Sequence, residues 1–302
     1  MADLAQHLFF GLALGCTYAL VALGFTIVYK SSGVINFAQG ELLLVGAYIV
    51  AASVFEYHLN FFLALLIALL GTIAIGVLFE RFVLRRMIGR PVFSILMITI
   101  GLDILLRTLV TVRIGARYVV PAPAPFDIYG GVNVGGVHFG TPQLVTIGVT
   151  ALCCLALFLF FRYTKYGLAM RATALDQEAA LATGLNVRVV YALAWGIAAA
   201  LATLGGVLLP LENGAGSFDI TLGAIALAAF PAIILGGLDS IPGAVVGGIL
   251  IGVTQQFFNR YDDFFAPTLG PGVYAVAPYV LMILVLLIRP YGLFGTRKVE
   301  RV

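Results

Sequence analysis

Three polar constellations interrupt an otherwise apolar chain, and each limits the chemistry available. The first is Asn36-Phe-Ala-Gln39-Gly40-Glu41. Asn36 with Gln39 three residues later has the form of a helix cap, and Gly40 weakens the helix just after it. With Ser31, Ser32 and Gly33 before it, the stretch predicts a broken start to a helix. Broken helices expose unpaired backbone N–H groups, and that positive end suits an anion such as an amino-acid carboxylate. Glu41, in the first turn, could meet an ammonium or shape a pore mouth. The plainer reading is a polar cap on a complete helix. The second constellation is Asp103 and Arg107, four apart with the acid first, the better order for a helical ion pair. Each charge costs about 2.5–3.5 kcal/mol at the centre of a membrane helix. The two are therefore expected to pair inside a bundle, as a neutralising structural pair rather than a substrate contact.

The third runs Arg171-Ala-Thr173-Ala-Leu175-Asp176-Gln-Glu178-Ala179-Ala180, with Gly184 after it. Thr173 with Asp176 is a capping-box spacing and Gly184 a natural stop, which predicts a helix over Thr173–Thr183. Leu175, Ala179 and Ala182 make a narrow apolar stripe. A helix this short is unstable alone in water and has to dock on something. Docking on the bilayer surface is disfavoured, because the helix lacks basic residues and large apolar anchors. Gln255, Gln256 and Trp195 are further candidates for either a pathway or packing.

The missing chemistry is equally informative. His7, His58 and His138 are scattered, and no His or carboxylate set has metal-ligand spacing. Cys153 and Cys154 are adjacent within one apolar run and Cys16 lies in another, so no disulfide framework is read. No lysine sits in a Gly-Lys-Ser/Thr loop. We therefore expect no catalytic residue, no metal site and no cofactor in this chain, and any ATP must be hydrolysed elsewhere. A net charge of +3 gives no nucleic-acid footprint.

The elements that must position these residues are membrane helices. At 62% hydrophobic and 10% charged, the 302 residues lie far from soluble composition, about 25% charged. Long continuous apolar runs exclude a barrel. About nine spans (8–10) are expected: 7–29, 35–55, 61–79, 92–112, 144–161, 189–211, 220–235, 244–258 and 274–288. The seventh and eighth are short and interrupted by Pro231 and by Gly236-Gly237…Pro242-Gly243…Gly247-Gly248. Such breaks mark either a midplane pathway or close helix packing, and packing is favoured for most of them. Placing the connection after the third span inside the cell puts 13 of the 17 basic residues on the cytoplasmic side and three outside. The C-terminus is then cytoplasmic and the N-terminus outside. No basic residue precedes Lys30, so the first run is a retained span rather than a signal peptide. One transmembrane domain, 1–302, is expected, with an outer loop over 113–143 and a cytoplasmic loop over 162–188. Gly-flanked Val-x-Val and Val-x-Phe alternation in the outer loop suggests a small hairpin lid. The only deeply buried acid expected is Asp103.

Glu178-Ala179-Ala180-x-x-x-Gly184 resembles the cytoplasmic coupling motif of ABC importer permeases. The Ile-x-Leu-Pro element that normally follows is replaced by Ala194-Trp195-Gly196. Val34–Glu41, Gly236–Gly248 and Arg289-Pro290-Tyr291-Gly292-Leu293-Phe294-Gly295 are similar to LivH-type permeases of branched-chain amino acid importers, in the family's order. The resemblance implies an all-α polytopic permease in the bacterial cytoplasmic (inner) membrane. It further implies a homologous second permease, in a heterodimer, two ATPase subunits carrying ATP and Mg, and an extracytoplasmic substrate-binding protein. Related scaffolds serve urea, short amides and aromatic acids, which stay open as substrates. An ion-coupled secondary transporter is the rival from another class.

Overall fold

The computed structural model describes residues 2–87, 90–114, 119–175, 177–212 and 216–296. Among them the chain is a polytopic helical bundle with two small antiparallel ribbons. The apolar runs become α1 (Ala2–Ser32), α2 (Gln39–Phe55), α3 (Phe61–Phe82), α4 (Val92–Ile114) and α5 (Thr141–Tyr163). After α6 (Lys165–Leu175) and α7 (Gln177–Ala182) come α8 (Val187–Glu212), α9 (Ile225–Ala228), α10 (Phe230–Gly236) and α11 (Ile241–Arg260). The bundle ends with α12 (Asp262–Leu269) and α13 (Val273–Ile288).

Among the described residues six helices are long and apolar enough to cross a bilayer, and three apolar segments are shorter: Gln39–Phe55, Ile220–Gly236 and Val273–Ile288. At 1.5 Å per residue, α2 reaches about 25 Å, short of a ~30 Å hydrocarbon core. The non-helical stretch over 33–38 leads into it.

The bundle is layered. α1 and α8 lie at its centre, and α3, α4 and α5 turn most of their apolar surface outward, as a lipid-facing ring does. The centre closes by backbone proximity. A Cβ on Gly252 would lie 2.2 Å from the amide nitrogen of Gly15, and one on Gly15 would lie 2.6 Å from the Cα of Ile249. Gly11 and Gly15 on α1 and Gly248 and Gly252 on α11 thus make a small-residue crossing. For these glycines packing wins. Gly247 likewise abuts the carbonyl oxygen of Ala232.

Contacts sort the loops onto two faces. On one, Arg260 reaches Asp3 at 2.6 Å, Gln6 bonds His138, and Arg113 approaches Glu56. The expected hairpin is there, as β2 (Gly131–Val134) paired with β3 (Val137–Gly140). Beside it, β1 (Val119–Pro121) pairs with β4 (Ser217–Asp219), a long-range ribbon that local patterning did not predict. On the other face, Leu293 and Phe294 donate to Leu235 and Gly236, which joins the terminal Arg289–Gly295 motif to the Gly236–Gly248 motif.

The predicted helix over Thr173–Thr183 is corrected: α6 and α7 replace it. Thr173 is not a cap; it is buried within α6, with its hydroxyl donating to Ala169 at 2.9 Å. Thr164 caps α6 instead, its Oγ1 accepting from Gly167 N–H at 2.9 Å. Asp176 lies outside the described residues. Gly184 does end the segment: at φ 80° it supports Gly184 N–H to Leu181 and Leu185 N–H to Ala180, a Schellman stop.

Candidate functional site

Two helix breaks, one from each half of the chain, meet inside the bundle. In the first, Asn36 Oδ1 accepts from Ala38 N–H at 3.1 Å and its Nδ2 donates to Gln39 Oε1 at 3.3 Å. Gln39 Nε2 then donates to the carbonyl of Ala198 on α8 at 2.9 Å. Asn36, Gln39 and Glu41 are all fully buried. The second break is the 3-10 turn Ile220–Ala224 together with α9 and α10, whose kink falls at Ala229 before Pro231. Asp219 caps that turn, accepting from Thr221 N–H at 2.7 Å. Phe37 from the first break stacks on Phe230 from the second, at 5.7 Å between centroids. Gly40 and Gly223 touch backbone to backbone: a Cβ on Gly40 would lie 2.1 Å from the carbonyl oxygen of Gly223.

Here the charges differ from expectation. Arg107 pairs with Glu41 on α2 rather than with Asp103. Its Nε and Nη2 donate to Glu41 Oε1 at 2.9 and 2.7 Å, while Asp103, one turn earlier on α4, is half-buried. An i,i+4 spacing permits a pair along one helix, but α4 lies against the start of α2 and offers a more deeply buried partner. Nor is Asp103 the deepest acid. Glu41, Glu80 and Glu212 are buried. Glu80 makes a two-pronged pair with Arg85, at 3.0 and 3.1 Å. Glu212, at the end of α8, accepts from the Thr17 hydroxyl on α1 through Oε1, and its Oε2 makes no hydrogen bond among the described residues. Glu212 stands at the edge of an apolar run, where hydropathy alone reads it as loop.

Gln255 does not join this cluster. It accepts from the Tyr18 hydroxyl at 2.7 Å and lines a separate cavity of about 370 Å³ with Tyr18, Gln256, Asn259, Ile225 and Tyr274. The cavity lies in the half of the bundle that carries the hairpin. Ile225 borders it two residues beyond Gly223.

The third constellation forms a surface. Met170, Thr173 and Ala180 face the bundle, whereas Leu175, Leu181 and Ala182 face outward, Leu175 almost completely (89% exposed). Arg171 is exposed on α6 and Ala179 on α7, and Glu178 belongs to α7 by its backbone. Buried and exposed residues thus alternate with helical period. Among the described residues no group of His, Cys, Asp and Glu is placed to hold a metal.

Known proteins resemble the chain over nearly its whole length. The family described as "Branched-chain amino acid transport system / permease component" matches residues 7–288. The permease protein LivH of the high-affinity branched-chain amino acid transport system of Escherichia coli (strain K12) is 36% identical, over 98% of this chain and 97% of its own length. LivM of the same organism's system is 26% identical, over 91% of this chain and 67% of its own. Among solved structures, PsaBC from Streptococcus pneumoniae in complex with Fab superposes with a TM-score of 0.53 at 18% identity, covering 97% of this chain and 94% of that one, a likeness of fold. With the family's profile spanning the helices that carry both breaks and the exposed α6–α7 surface, the chain belongs to the branched-chain amino acid transport permease family.

Proposed function

We propose that this chain forms one half of the translocation pathway of an ATP-driven importer for branched-chain or related small amino acids. The observation that carries the reading is the meeting of two helix breaks, one from each half, around buried Asn36, Gln39 and Glu41. Broken helices at a common point are how a transporter presents backbone and polar groups to a solute inside a bilayer. That one organism has both LivH and LivM related to this chain supports a heterodimer with a second, homologous permease. ATP and Mg belong to two separate ATPase subunits, and an extracytoplasmic binding protein delivers the substrate to the hairpin face. The N-terminus then lies outside the cytoplasmic membrane and the C-terminus inside. No bond of the substrate is broken by this chain.

In this scheme α6 and α7 dock in the ATPase subunits, with Leu175 and Leu181 supplying exposed apolar area. The test is co-purification. Wild type retains the ATPase subunits, while Glu178→Arg and Ala179→Trp lose them and leave the fold intact. Retention by both variants would refute the docking. Glu212 supports a second reading, an ion-coupled carrier, because a buried carboxylate oxygen without a hydrogen-bond donor among the described residues is what a proton or cation site requires. Uptake that persists in ATP-depleted vesicles under an ion gradient would favour that carrier and overturn the importer. Urea, short amides and aromatic acids are the alternative cargoes.

A further inference from the structure

The two ion pairs made by buried glutamates are built differently. Arg85 and Glu80 use the full fork, Nε to Oε1 and Nη2 to Oε2, so each donor edge meets its own oxygen. Arg107 instead spends Nε and Nη2 on one oxygen, Oε1 of Glu41. Glu41 Oε2 is buried and makes no hydrogen bond among the described residues, and none is made by Arg107 Nη1. A pair that existed only to neutralise itself would close the fork, since an unmet buried acceptor is unfavourable. The pair thus leaves one buried acceptor unused on Glu41 and one donor edge unused on Arg107, whose side chain is 47% exposed. Asp103, one turn along α4, adds a second carboxylate to the same region.

The second break covers the Glu41 carboxylate. Gly223 presses on the carboxylate: a Cβ there would lie 2.4 Å from Oε1 and 3.0 Å from Oε2. The segment that carries Gly223 is a three-residue strand and a five-residue 3-10 turn, elements short enough to move at low cost. Ile225, two residues on, borders the Gln255 cavity. Displacing this segment would therefore open Glu41 toward that cavity.

We propose that Glu41 Oε2 and Arg107 Nη1 form a subsite for a zwitterion, Oε2 accepting from the α-ammonium and Nη1 donating to the α-carboxylate, with the Gly223 segment as its seal. The proposal rests on the amino-acid importer reading and adds its chemical selectivity. Charges around the closed ring alternate in sign, so a zwitterion enters a low-dielectric site with no added net charge. A neutral amide or urea can hydrogen-bond to both groups but brings no opposite charge to either, and an acid without an amine leaves the carboxylate unmet.

The experiment is L-leucine uptake by the complete importer in proteoliposomes, with Glu41→Gln, Arg107→Gln and the double variant. Each single variant should lower uptake by about 30-fold or more: Arg107→Gln leaves the buried Glu41 carboxylate without its partner, and Glu41→Gln removes the proposed acceptor for the ammonium. The double variant separates binding from structure, because it leaves no unpaired charge. The subsite predicts that the double variant co-purifies with the other subunits, keeps ATPase activity and stays as inactive as the singles. Recovery of uptake in the double variant would make the pair purely structural and overturn the subsite, as would single variants that transport normally or a double variant that no longer assembles. Wild-type uptake is measured first. A wild type that carries urea or an amide and no amino acid removes the importer reading itself, a failure seen before any variant is made.

Discussion

Replacing Gly40 with alanine should force the two helix breaks apart. The new Cβ would lie 2.1 Å from the carbonyl oxygen of Gly223 and 2.9 Å from the Cβ of Ala226, where an ordinary contact needs at least 3.4 Å. The Gly223 segment would have to retreat by about 1.3 Å, and the obstructing atom is backbone, with no flexible side-chain end to yield. Overpacking of this kind costs about 1–3 kcal/mol. At roughly 2–4 °C per kcal/mol, the protein in nanodiscs should melt roughly 2–12 °C below wild type. The matched control is Gly148→Ala on α5, where a Cβ meets nothing within 4 Å. There the gain in helix propensity is up to about 1 kcal/mol, so that variant should melt at or slightly above wild type. Fluorescence of Trp195, the chain's single tryptophan, buried against Phe79, reports the transition from within the core. Gly40→Ala and Gly148→Ala melting within about 1 °C of each other would refute the close contact between the breaks.

Two further outcomes follow from buried hydrogen bonds. Thr17→Ala removes the hydroxyl donor to Glu212 Oε1 and should destabilise the protein by about 1–3 kcal/mol, whereas Thr17→Ser should melt near wild type. Equal melting of the two variants would show that the hydroxyl is not what holds Glu212. Gln39→Leu cuts the bond to Ala198 and should lower uptake by about tenfold while ATPase activity persists. Parallel loss of both activities would place the connection between α8 and the breaks somewhere else.

Hydropathy located the helices well because a spanning helix must satisfy its own backbone in lipid, and that demand is local. The run over 61–79 became Phe61–Phe82, and the run over 274–288 became Val273–Ile288. What failed was whatever depends on a partner distant in sequence. Arg107 chose Glu41, 66 residues away, over Asp103 at the ideal local spacing. The β1–β4 ribbon joins residues near 120 to residues near 218, and no local pattern encodes that. Thr173 misled because Ser and Thr serve both as caps and as interior residues bonded to the carbonyl four back, and the alternative cap, Thr164, sits against an apolar run. In the candidate site, Asn36, Gln39, Gly40 and Glu41 stood out as polar residues in a place where polarity is costly. Gly223 did not, since the glycine there makes room for the Glu41 carboxylate, and that is invisible until the neighbour is known.

The same long-range contacts connect the exposed α6–α7 surface to the buried breaks. α7 ends at the Gly184 stop, and α8 begins three residues later at Val187. From there an uninterrupted helix runs about 16 Å to Ala198, the acceptor of Gln39. Along this helix the packing leaves little slack. A Cβ on Gly46 would lie 2.8 Å from the Cα of Thr203, and one on Gly206 would lie 2.3 Å from the carbonyl of Leu43. Close-packed backbone contacts pass on a displacement rather than absorb it. Under the importer reading, force applied at α6–α7 would thus enter α8 and pass to α2 through Gln39 and the Gly46 and Gly206 contacts. It would reach the Gly223 segment through Gly40. That segment, held by a short ribbon, one aspartate cap and its contacts with Gly40 and Glu41, would then be the part expected to give way. Motion would then concentrate where Glu41 is sealed, and Gln39→Leu should separate ATP hydrolysis from transport without dismantling the bundle.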